Sequence, residues 1–196
     1  AGLKGRVARV TRRQPGLKRF QARGENLLRK MGKPTAINQV WVADVTYIKV
    51  NGQWQYLATV MDLYSRRILG WSLSTTRTTE LTRSAMTYAL KKRNYPKGVL
   101  FHTDRGVEYT GGEFQKILKE NDFRHSLNRP GHCTDNAFME SFFHSLKAEL
   151  IRGTIYRKAT ELRRVLSTYI NHFYNTVRLH SGLDYESPIE YEQRAA

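Results

Sequence analysis

Apolar residues are arranged along the first half of the chain in a pattern that predicts three consecutive strands. Residues 40–50 are rich in Val, Trp, Tyr and Ile, which favour strands. The pair Asn51-Gly52 follows at once and is a strong hairpin signal, so residues 54–62 are predicted as a second strand. Residues 67–74 form the third. Because short turns join all three strands, we expect an antiparallel meander.

The spacing of apolar residues changes after residue 80, where Leu81, Ala85, Tyr88 and Ala89 recur at helical intervals. The remaining predicted elements are a helix over 80–93, a strand over 99–103, a helix over 113–121, a strand over 124–127, and helices over 135–151 and 160–174. The short apolar run 99–103 suits a strand that is buried on both faces. Three antiparallel strands followed by alternating helices and strands predict an α/β fold, with a mixed five-stranded sheet flanked by helices.

The net charge of the chain indicates what kind of molecule it binds. The formal net charge is +16 and the isoelectric point is about 10.2. Such an excess indicates a polyanionic partner, and nucleic acid is the leading candidate. An anionic membrane surface fits less well because no basic amphipathic helix with an aromatic face is evident. The plainer alternative is a solvated, charged surface without a specific partner.

The positive charge is concentrated at the beginning of the chain. Residues 1–33 contain eleven basic side chains and one acid, Glu25, which gives this segment a charge of +10. We treat residues 1–37 as a basic arm and linker, and residues 38–192 as a folded core with a C-terminal helical tail. The arm has no clean apolar period, so we expect it to order against phosphates.

Cysteine and hydropathy exclude several other classes of protein. Cys133 is the only cysteine, so an internal disulfide and a cysteine-rich zinc site are both excluded. No apolar run approaches the length of a membrane span, and no signal-peptide pattern is present. We therefore expect a reducing, cytosolic setting and no membrane partner.

Three acidic residues lie at positions of the predicted elements where a carboxylate needs a structural or functional reason. Asp44 interrupts an apolar strand, Asp104 ends a buried one, and Glu140 lies in the first turns of the predicted helix 135–151. Helical spacing places Asn136, Glu140, His144 and Lys147 near one face. Each acid alone has an ordinary explanation, as a strand-end cap for Asp104 or a surface residue for Glu140. Together they suit two Mg²⁺ ions, because magnesium prefers carboxylate and phosphate oxygens.

Four sequence blocks and one spacing resemble a known family. Thirty-five residues separate Asp104 from Glu140, which resembles the D-D-35-E spacing of retroviral integrases and insertion-sequence transposases. The blocks are WVADVTY (41–47), FHTDRGVEY (101–109), RPG with DNAFMESFFHSLK (129–131 and 135–147), and YNTVRLHSGLDYESP (174–188). The order of the predicted elements also matches the ribonuclease H-like architecture. The chain thus resembles the DDE transposases of insertion-sequence family three.

The resemblance implies a function and a set of site residues. It implies metal-dependent cleavage of one DNA strand at a transposon end, followed by joining through the freed 3′-hydroxyl, with Asp44, Asp104 and Glu140 as catalytic metal ligands. It also implies two Mg²⁺ ions, replaceable by Mn²⁺, and a circular intermediate. The expected partners are terminal inverted repeats, target DNA and further copies of the chain, in the bacterial cytoplasm and nucleoid. A plain nuclease and a domesticated, non-catalytic DNA-binding protein are the alternatives.

The DNA contacts are expected on both the core and the arm. The candidates are Asn136, Lys147, Arg105, Arg129, Arg178, His180, Arg12, Arg13, Lys18 and Arg19. For Asn136 a helix-capping role is an equal alternative, and Arg178 and His180 could instead pack within the fold. His102 is expected to be a core residue or to support the site rather than to bind metal.

Two departures from the family pattern are visible. Glu108 stands where Gln is more common, and the helix-turn-helix regions that usually precede the core are missing from this sequence. Because the chain begins with Ala1, we expect a fragment or a processed product in which recognition of the element's ends is incomplete.

Overall fold

The computed structural model describes residues 24–194 and contains one mixed sheet with helices on both faces. The strands are β1 (Val40–Val50), β2 (Gln53–Asp62), β3 (Ile68–Ser74), β4 (Leu100–Thr103) and β5 (Arg124–Leu127). The α-helices are α1 (Thr79–Lys92), α2 (Val107–Thr110), α3 (Gly112–Glu120), α4 (Ala137–Leu146), α5 (Ala159–Thr168) and α6 (Pro188–Arg194). Within this part of the chain, no helix is long and apolar enough to cross a membrane.

The sheet order is β3-β2-β1-β4-β5, which confirms the predicted five-stranded mixed sheet. The antiparallel hairpin β1–β2 turns at Asn51 and Gly52, whose φ angles of 44° and 82° are those of the tight turn that this pair favours. β4 pairs in parallel with both β1 and β5, so it lies between these two strands in the sheet. That pairing brings the end of β4 beside the first half of β1.

Alternating residues of β1 contribute to two separate cores. Val40, Val42 and Ile48 face the core that contains Met139 and Phe142 of α4. The alternate positions, including Trp41 and Ala43, face the core built with α1 and α3. Asp44 follows Val42 by two residues, so it belongs to the face that α4 covers.

The last two long helices are less regular than their periodicity predicts. α4 begins after a 3-10 turn over Cys133–Asn136 and continues into a π-helical segment over Lys147–Ile151. α5 likewise continues into the π-helical segment Tyr169–Tyr174. Apolar spacing does not distinguish α from π turns, because both keep the same side chains near one face over a few residues.

Residues 24–30 contact the core, although their charge groups them with the basic arm. The Glu25 carbonyl accepts a hydrogen bond from the Leu127 amide at 2.9 Å. The Ser126 hydroxyl accepts from the amides of Leu27 and Leu28 at 2.9 and 3.2 Å. A short 3-10 turn over Leu28–Lys30 follows. This segment therefore belongs structurally to the edge of the sheet beside β5.

Gly70 allows α1 to pack closely on β3, and we expect Gly70→Ala to destabilise the fold by about 3 kcal/mol. A Cβ at this position would overlap the backbone carbonyl of Ala85 and approach the backbone nitrogen of Ala89, neither of which can rotate away. Chemical denaturation measures the loss. Gly112→Ala is the matched control because its added methyl meets nothing within 4 Å. Equal stabilities of the two variants would contradict the close-packing argument.

Candidate active site

Asp44 and Asp104 come from neighbouring parallel strands. β1 and β4 are in register at Val42 and His102, and each acid follows its strand partner by two residues. Continuing the register places the two carboxyl groups side by side. The Asp44 Oδ1 accepts a hydrogen bond from the Val45 amide at 2.7 Å, and the Asp104 Oδ1 accepts from the Gly106 amide at 2.9 Å.

The electrostatic environment of Asp44 disfavours its charged form. Burial, followed by repulsion from Asp104, raises the pKa of Asp44 to about 7. The Val45 amide and the Arg77 guanidinium act in the opposite direction, but they do not offset the first two causes. The residue keeps some solvent exposure, while its carboxyl group is enclosed by protein atoms. A further positive charge at this position would therefore be stabilised.

Arg77 and Glu108 complete the charged part of this site. The Arg77 Nε donates to the Glu108 Oε1 at 2.5 Å, and its Nη2 lies 3.5 Å from the Asp104 Oδ2. Glu108 is 3% exposed. Sequence reasoning did not single out Arg77, which precedes α1 in a segment without a motif. In the sequence, the glutamate at position 108 was the one feature that indicated the need for a cation beside it, the position that Arg77 occupies.

Several buried oxygen atoms around the two carboxyl groups lack a hydrogen-bond partner among the described residues. Thr59 lies directly opposite Asp44 on β2, and its Oγ1 makes no hydrogen bond. The Tyr109 hydroxyl is also unpaired, and burial together with Asp44 and Asp104 raises its pKa well above the ordinary value. Asn136 donates from Nδ2 to the Ala43 carbonyl at 3.1 Å, which leaves its Oδ1 without a partner.

Glu140 lies on the helix that runs along β1, but it is not gathered with the two aspartates. At one end of this helical region Asn136 bonds to Ala43, and beyond its other end the Lys147 Nζ lies 5.0 Å from the centre of the Tyr47 ring. Glu140 is exposed between these two contacts. Among the side chains that the structure describes, no three from His, Cys, Asp and Glu are close enough together to bind one metal ion.

The donor set around Asp44 and Asp104 nevertheless fits a hard divalent cation. Both carboxylates offer oxygen ligands, and the pKa of Asp44 is raised by burial and by repulsion from Asp104, a repulsion that a bound cation would relieve. The unpaired oxygens of Thr59 and Tyr109 are further groups that a hydrated cation could engage directly or through water. No sulfur or imidazole nitrogen takes part in this set, which favours magnesium over zinc.

Lys147, one of the expected DNA contacts, lies against Tyr47 of β1, on the strand that carries Asp44. Its ammonium group packs over the Tyr47 ring, and burial lowers its pKa, while Tyr47 and Asp44 oppose that shift. The side chain is half-buried rather than fully solvated. Helical spacing along α4 and the segments that flank it places Lys147 on the same side as Glu140 and Asn136.

The expected contacts Arg105 and Arg129 both take part in structural hydrogen bonds. The Arg105 Nε donates to the Asn128 carbonyl at 2.7 Å, and its Nη2 donates to the Gly24 carbonyl at 2.8 Å. Arg129 forms a two-pronged ion pair with Asp135, in which the Nη2–Oδ1 distance is 2.9 Å. The hydrogen bond from Arg129 holds the pKa of Asp135 well below its usual range.

Arg178 and His180 lie in the C-terminal tail, away from the aspartates. Arg178 donates to Glu149 at 2.8 Å and to the Ser145 hydroxyl at 3.2 Å. His180 is 6% exposed and lines a cleft together with Arg178. The expected arm contacts Arg12, Arg13, Lys18 and Arg19 lie outside the described residues. His102 is fully buried, and its Nδ1 bonds to the Ser126 hydroxyl at 2.8 Å.

Comparison with known proteins supports the family that the sequence blocks indicate. The integrase core domain family matches residues 34–133, and a second integrase core domain description matches residues 121–188. The chain is 40% identical over 168 residues to the transposase for insertion sequence element IS904 of Lactococcus lactis. It is 41% identical over 170 residues to transposase InsF for insertion sequence IS3A of Escherichia coli.

Coverage differs between the two relatives. The IS904 match covers 86% of this chain and 66% of the relative, and the InsF match covers 87% and 59%. The chain therefore spans about three fifths to two thirds of the length of these relatives.

Solved structures share the fold at low sequence identity. The simian T-cell lymphotropic virus intasome, solved with PP2A regulatory subunit B56 gamma, has a TM-score of 0.68 and 18% identity, over 91% of this chain and 60% of that one. The HTLV-2 integrase catalytic core domain in complex with magnesium has a TM-score of 0.54 and 18% identity, over 80% and 97%. These likenesses confirm the ribonuclease H-like fold. With the family match over more than half of its length, the chain belongs to the integrase core domain family.

Proposed function

We propose that this chain is the catalytic domain of a DNA transposase. The observation that carries the proposal is the proximity of the Asp44 carboxyl group, on β1, to the Asp104 carboxyl group, just after the end of β4, in an integrase core fold. The relatives named as insertion-sequence transposases support the same reading. The excess of positive charge suits a polyanionic substrate.

The proposed chemistry consists of two phosphoryl transfers. In the first, water attacks the phosphorus at the transposon end, the bond to the 3′-oxygen breaks, and that oxygen takes up a proton. In the second, the freed 3′-hydroxyl loses its proton and attacks a phosphodiester elsewhere, which releases a new 3′-hydroxyl. Bond energy is conserved in the joining step, because one phosphodiester replaces another.

Asp44, Asp104 and Glu140 are the proposed holders of two Mg²⁺ ions, for which Mn²⁺ can substitute. When bound, such ions lower the pKa of the attacking hydroxyl and offset charge on the leaving oxygen. Asp44 and Asp104 lie together already, whereas Glu140 stands on the neighbouring helix. We propose that DNA binding draws Glu140 toward the pair and completes the ligand set.

Arg77 and Glu108 are proposed as positioning residues. Glu108 holds the Arg77 guanidinium beside Asp104, which reduces the repulsion between the aspartates before metal arrives. Because Glu108 is buried, its charge requires this partner. The pair would orient the Asp104 carboxylate without touching the reacting phosphate.

The other candidate residues are proposed to bind the DNA backbone at different distances from the two aspartates. Lys147 lies on the active face of α4, and Asn136 connects that helix to β1 beside Asp44. Arg105 and Arg129 are proposed to contact DNA from the β5 side, and Arg178 and His180 from the C-terminal tail. Work at two transposon ends would require a dimer or a larger assembly on the DNA, in the bacterial cytoplasm or nucleoid.

A strand-transfer assay with labelled duplexes that end in candidate terminal repeats tests this function. We expect magnesium-dependent nicking at the repeat end, followed by a joined product that retains the labelled 3′ strand. Glu113→Gln on exposed α3 is the matched control and should behave like the parent chain. Nicking without any joined product would favour the plain nuclease. Neither product, with DNA binding intact, would favour the non-catalytic alternative.

Magnesium should stabilise the fold only while the aspartates are present. Clustered carboxylates repel one another, and a cation held at 100 times its dissociation constant adds about 2.7 kcal/mol. Thermal unfolding with and without magnesium, in the presence of repeat DNA, measures the shift. The double variant Asp44→Asn, Asp104→Asn should lose it. An equal shift in both proteins would place the metal elsewhere.

A further inference from the structure

A small cleft lies between α4 and the C-terminal tail, away from the aspartates. It encloses about 280 Å³, including the part that is open to solvent. Aromatic rings form much of its wall, and its polar lining is Arg66, Ser141, Ser145, Arg178 and His180. Every one of these five side chains can donate a hydrogen bond, and none of them is acidic.

The cleft and the catalytic face occupy opposite sides of α4. Phe138, Ser141 and Ser145 follow one another at intervals of three and four residues, so they share one side of the helix. Glu140 and Lys147 share the other side with each other. A ligand in the cleft would therefore not compete with substrate at Asp44 and Asp104.

Arg66 is the cation of this cleft that has no acidic partner. Its guanidinium lies 5.4 Å from the centre of the Phe138 ring, and no carboxylate of residues 24–194 lies within ion-pair distance of it. It also rests against Gly182, where an added Cβ would overlap the guanidinium. The absence of a side chain at position 182 thus makes room for this cation.

His180 supplies a buried ring nitrogen, Nε2, that makes no close hydrogen bond within the described part of the chain. Its Nδ1 lies 3.5 Å from the Arg178 Nη1, and since a guanidinium only donates, Nδ1 must accept and the proton lies on Nε2. Burial, with the charges of Arg178 and Arg66, lowers the pKa of His180 to about 4, so the ring is neutral. A backbone hydrogen bond with Tyr174 opposes this shift. Among the described residues, no group meets the distance and angle of a close hydrogen bond to the Nε2.

We propose that this cleft binds the phosphate group of a DNA strand, at a point separate from the catalytic face. A tetrahedral oxyanion offers several acceptors at once, which suits the unpaired Arg66 guanidinium, the Ser141 hydroxyl and the His180 Nε2–H. Arg178 already forms an ion pair with Glu149, so it contributes less to phosphate binding than Arg66 does. The inference of a phosphate site depends only on the residues of the cleft. The assignment of that phosphate to DNA rests on the proposed function.

The first experiment measures the affinity of the full chain for inorganic phosphate by titration calorimetry. We expect Arg66→Gln to weaken binding by at least about tenfold, because it removes the cleft arginine that has no acidic partner within residues 24–194. Gly182→Ala should do the same while keeping every charge, because its methyl displaces the flexible Arg66 guanidinium. Arg164→Gln, on an exposed face of α5, is the matched control and should bind phosphate like the parent.

The second experiment measures the affinity of the chain for duplex DNA over a range of salt concentrations. Loss of one phosphate contact should reduce the slope of log affinity against log salt by about 0.9 in Arg66→Gln and in Gly182→Ala. Weaker phosphate binding with an unchanged DNA slope would support the anion site and overturn its assignment to DNA. Equal phosphate affinity in the parent, Arg66→Gln and Gly182→Ala would overturn the site altogether. Nuclease or joining activity enters neither readout, so failure of the proposed function is recorded separately.

Discussion

Asp44→Asn, Asp104→Asn and Glu140→Gln are each expected to reduce strand cleavage and joining by about a thousandfold or more, while duplex affinity changes little. Each amide keeps the shape of the acid but loses the charge that holds a divalent cation. A thousandfold loss corresponds to about 4 kcal/mol of transition-state stabilisation, which is of the order that metal-ion catalysis supplies. Initial rates of nicking and joining under single-turnover conditions give the size of each loss.

Stability separates loss of chemistry from loss of folding in these variants. Because burial and Asp104 raise the pKa of Asp44 to about 7, replacing the Asp44 carboxylate by an amide removes an unfavourable charge. We therefore expect the metal-free Asp44→Asn protein to unfold at the same temperature as the parent or a higher one. Inactive protein that also unfolds early would not assign Asp44 to the chemistry.

Glu140 carries the sharpest part of this prediction, because it is exposed and stands apart from the aspartates in the DNA-free chain. If DNA draws it into the ligand set, Glu140→Gln should be as inactive as the aspartate variants. Near-normal strand transfer by Glu140→Gln would remove this residue from the mechanism. It would also leave Glu108 as the carboxylate nearest to the pair.

The sheet and the two aspartates could be predicted because strands with buried faces leave a clear signal. The run around Asp44 is apolar on both sides, so a carboxylate there needs a function or a partner. The hairpin at Asn51-Gly52 also depends on local backbone preferences, which the sequence displays directly. Such features are determined within a few residues of one another.

Arg77 could not be predicted because its role depends on a contact across 31 positions of the chain. Nothing in its immediate neighbours distinguishes it from a solvated arginine. The cleft behind α4 is similar, since Arg66 and Gly182 meet only after the tail has folded against the helix. Long-range pairs of this kind need the tertiary arrangement before they can be recognised.

The boundary of the basic arm also depended on tertiary contacts. Charge alone grouped residues 1–33 together, yet residues 24–30 bond to Ser126 and Leu127 at the edge of the sheet. Removing that segment would expose hydrogen-bonding groups of the core as well as removing charge. A clean test of the arm therefore deletes residues 1–23, which contain eight basic and no acidic side chains.

Deleting residues 1–23 is expected to weaken DNA binding strongly and to leave its specificity almost unchanged. Each phosphate that the arm neutralises contributes about −0.9 to the slope of log affinity against log salt, so eight contacts would flatten it by about 7. Terminal-repeat and unrelated duplexes should lose affinity alike, because phosphates carry no sequence information. Fluorescence anisotropy over a salt series measures both quantities.

A charge-only variant distinguishes phosphate binding from assembly. Replacing Arg12, Arg13, Lys18 and Arg19 with Gln keeps the length of the arm and should flatten the salt slope by about half as much as the deletion. Cleavage at high protein concentration should survive in both proteins, because the three acids are untouched. If the arm instead docks on a second subunit, light scattering will record a smaller assembly before the slope changes. A truncated chain that keeps the full slope would mean that the folded domain carries the DNA, and the arm would then have no part in affinity.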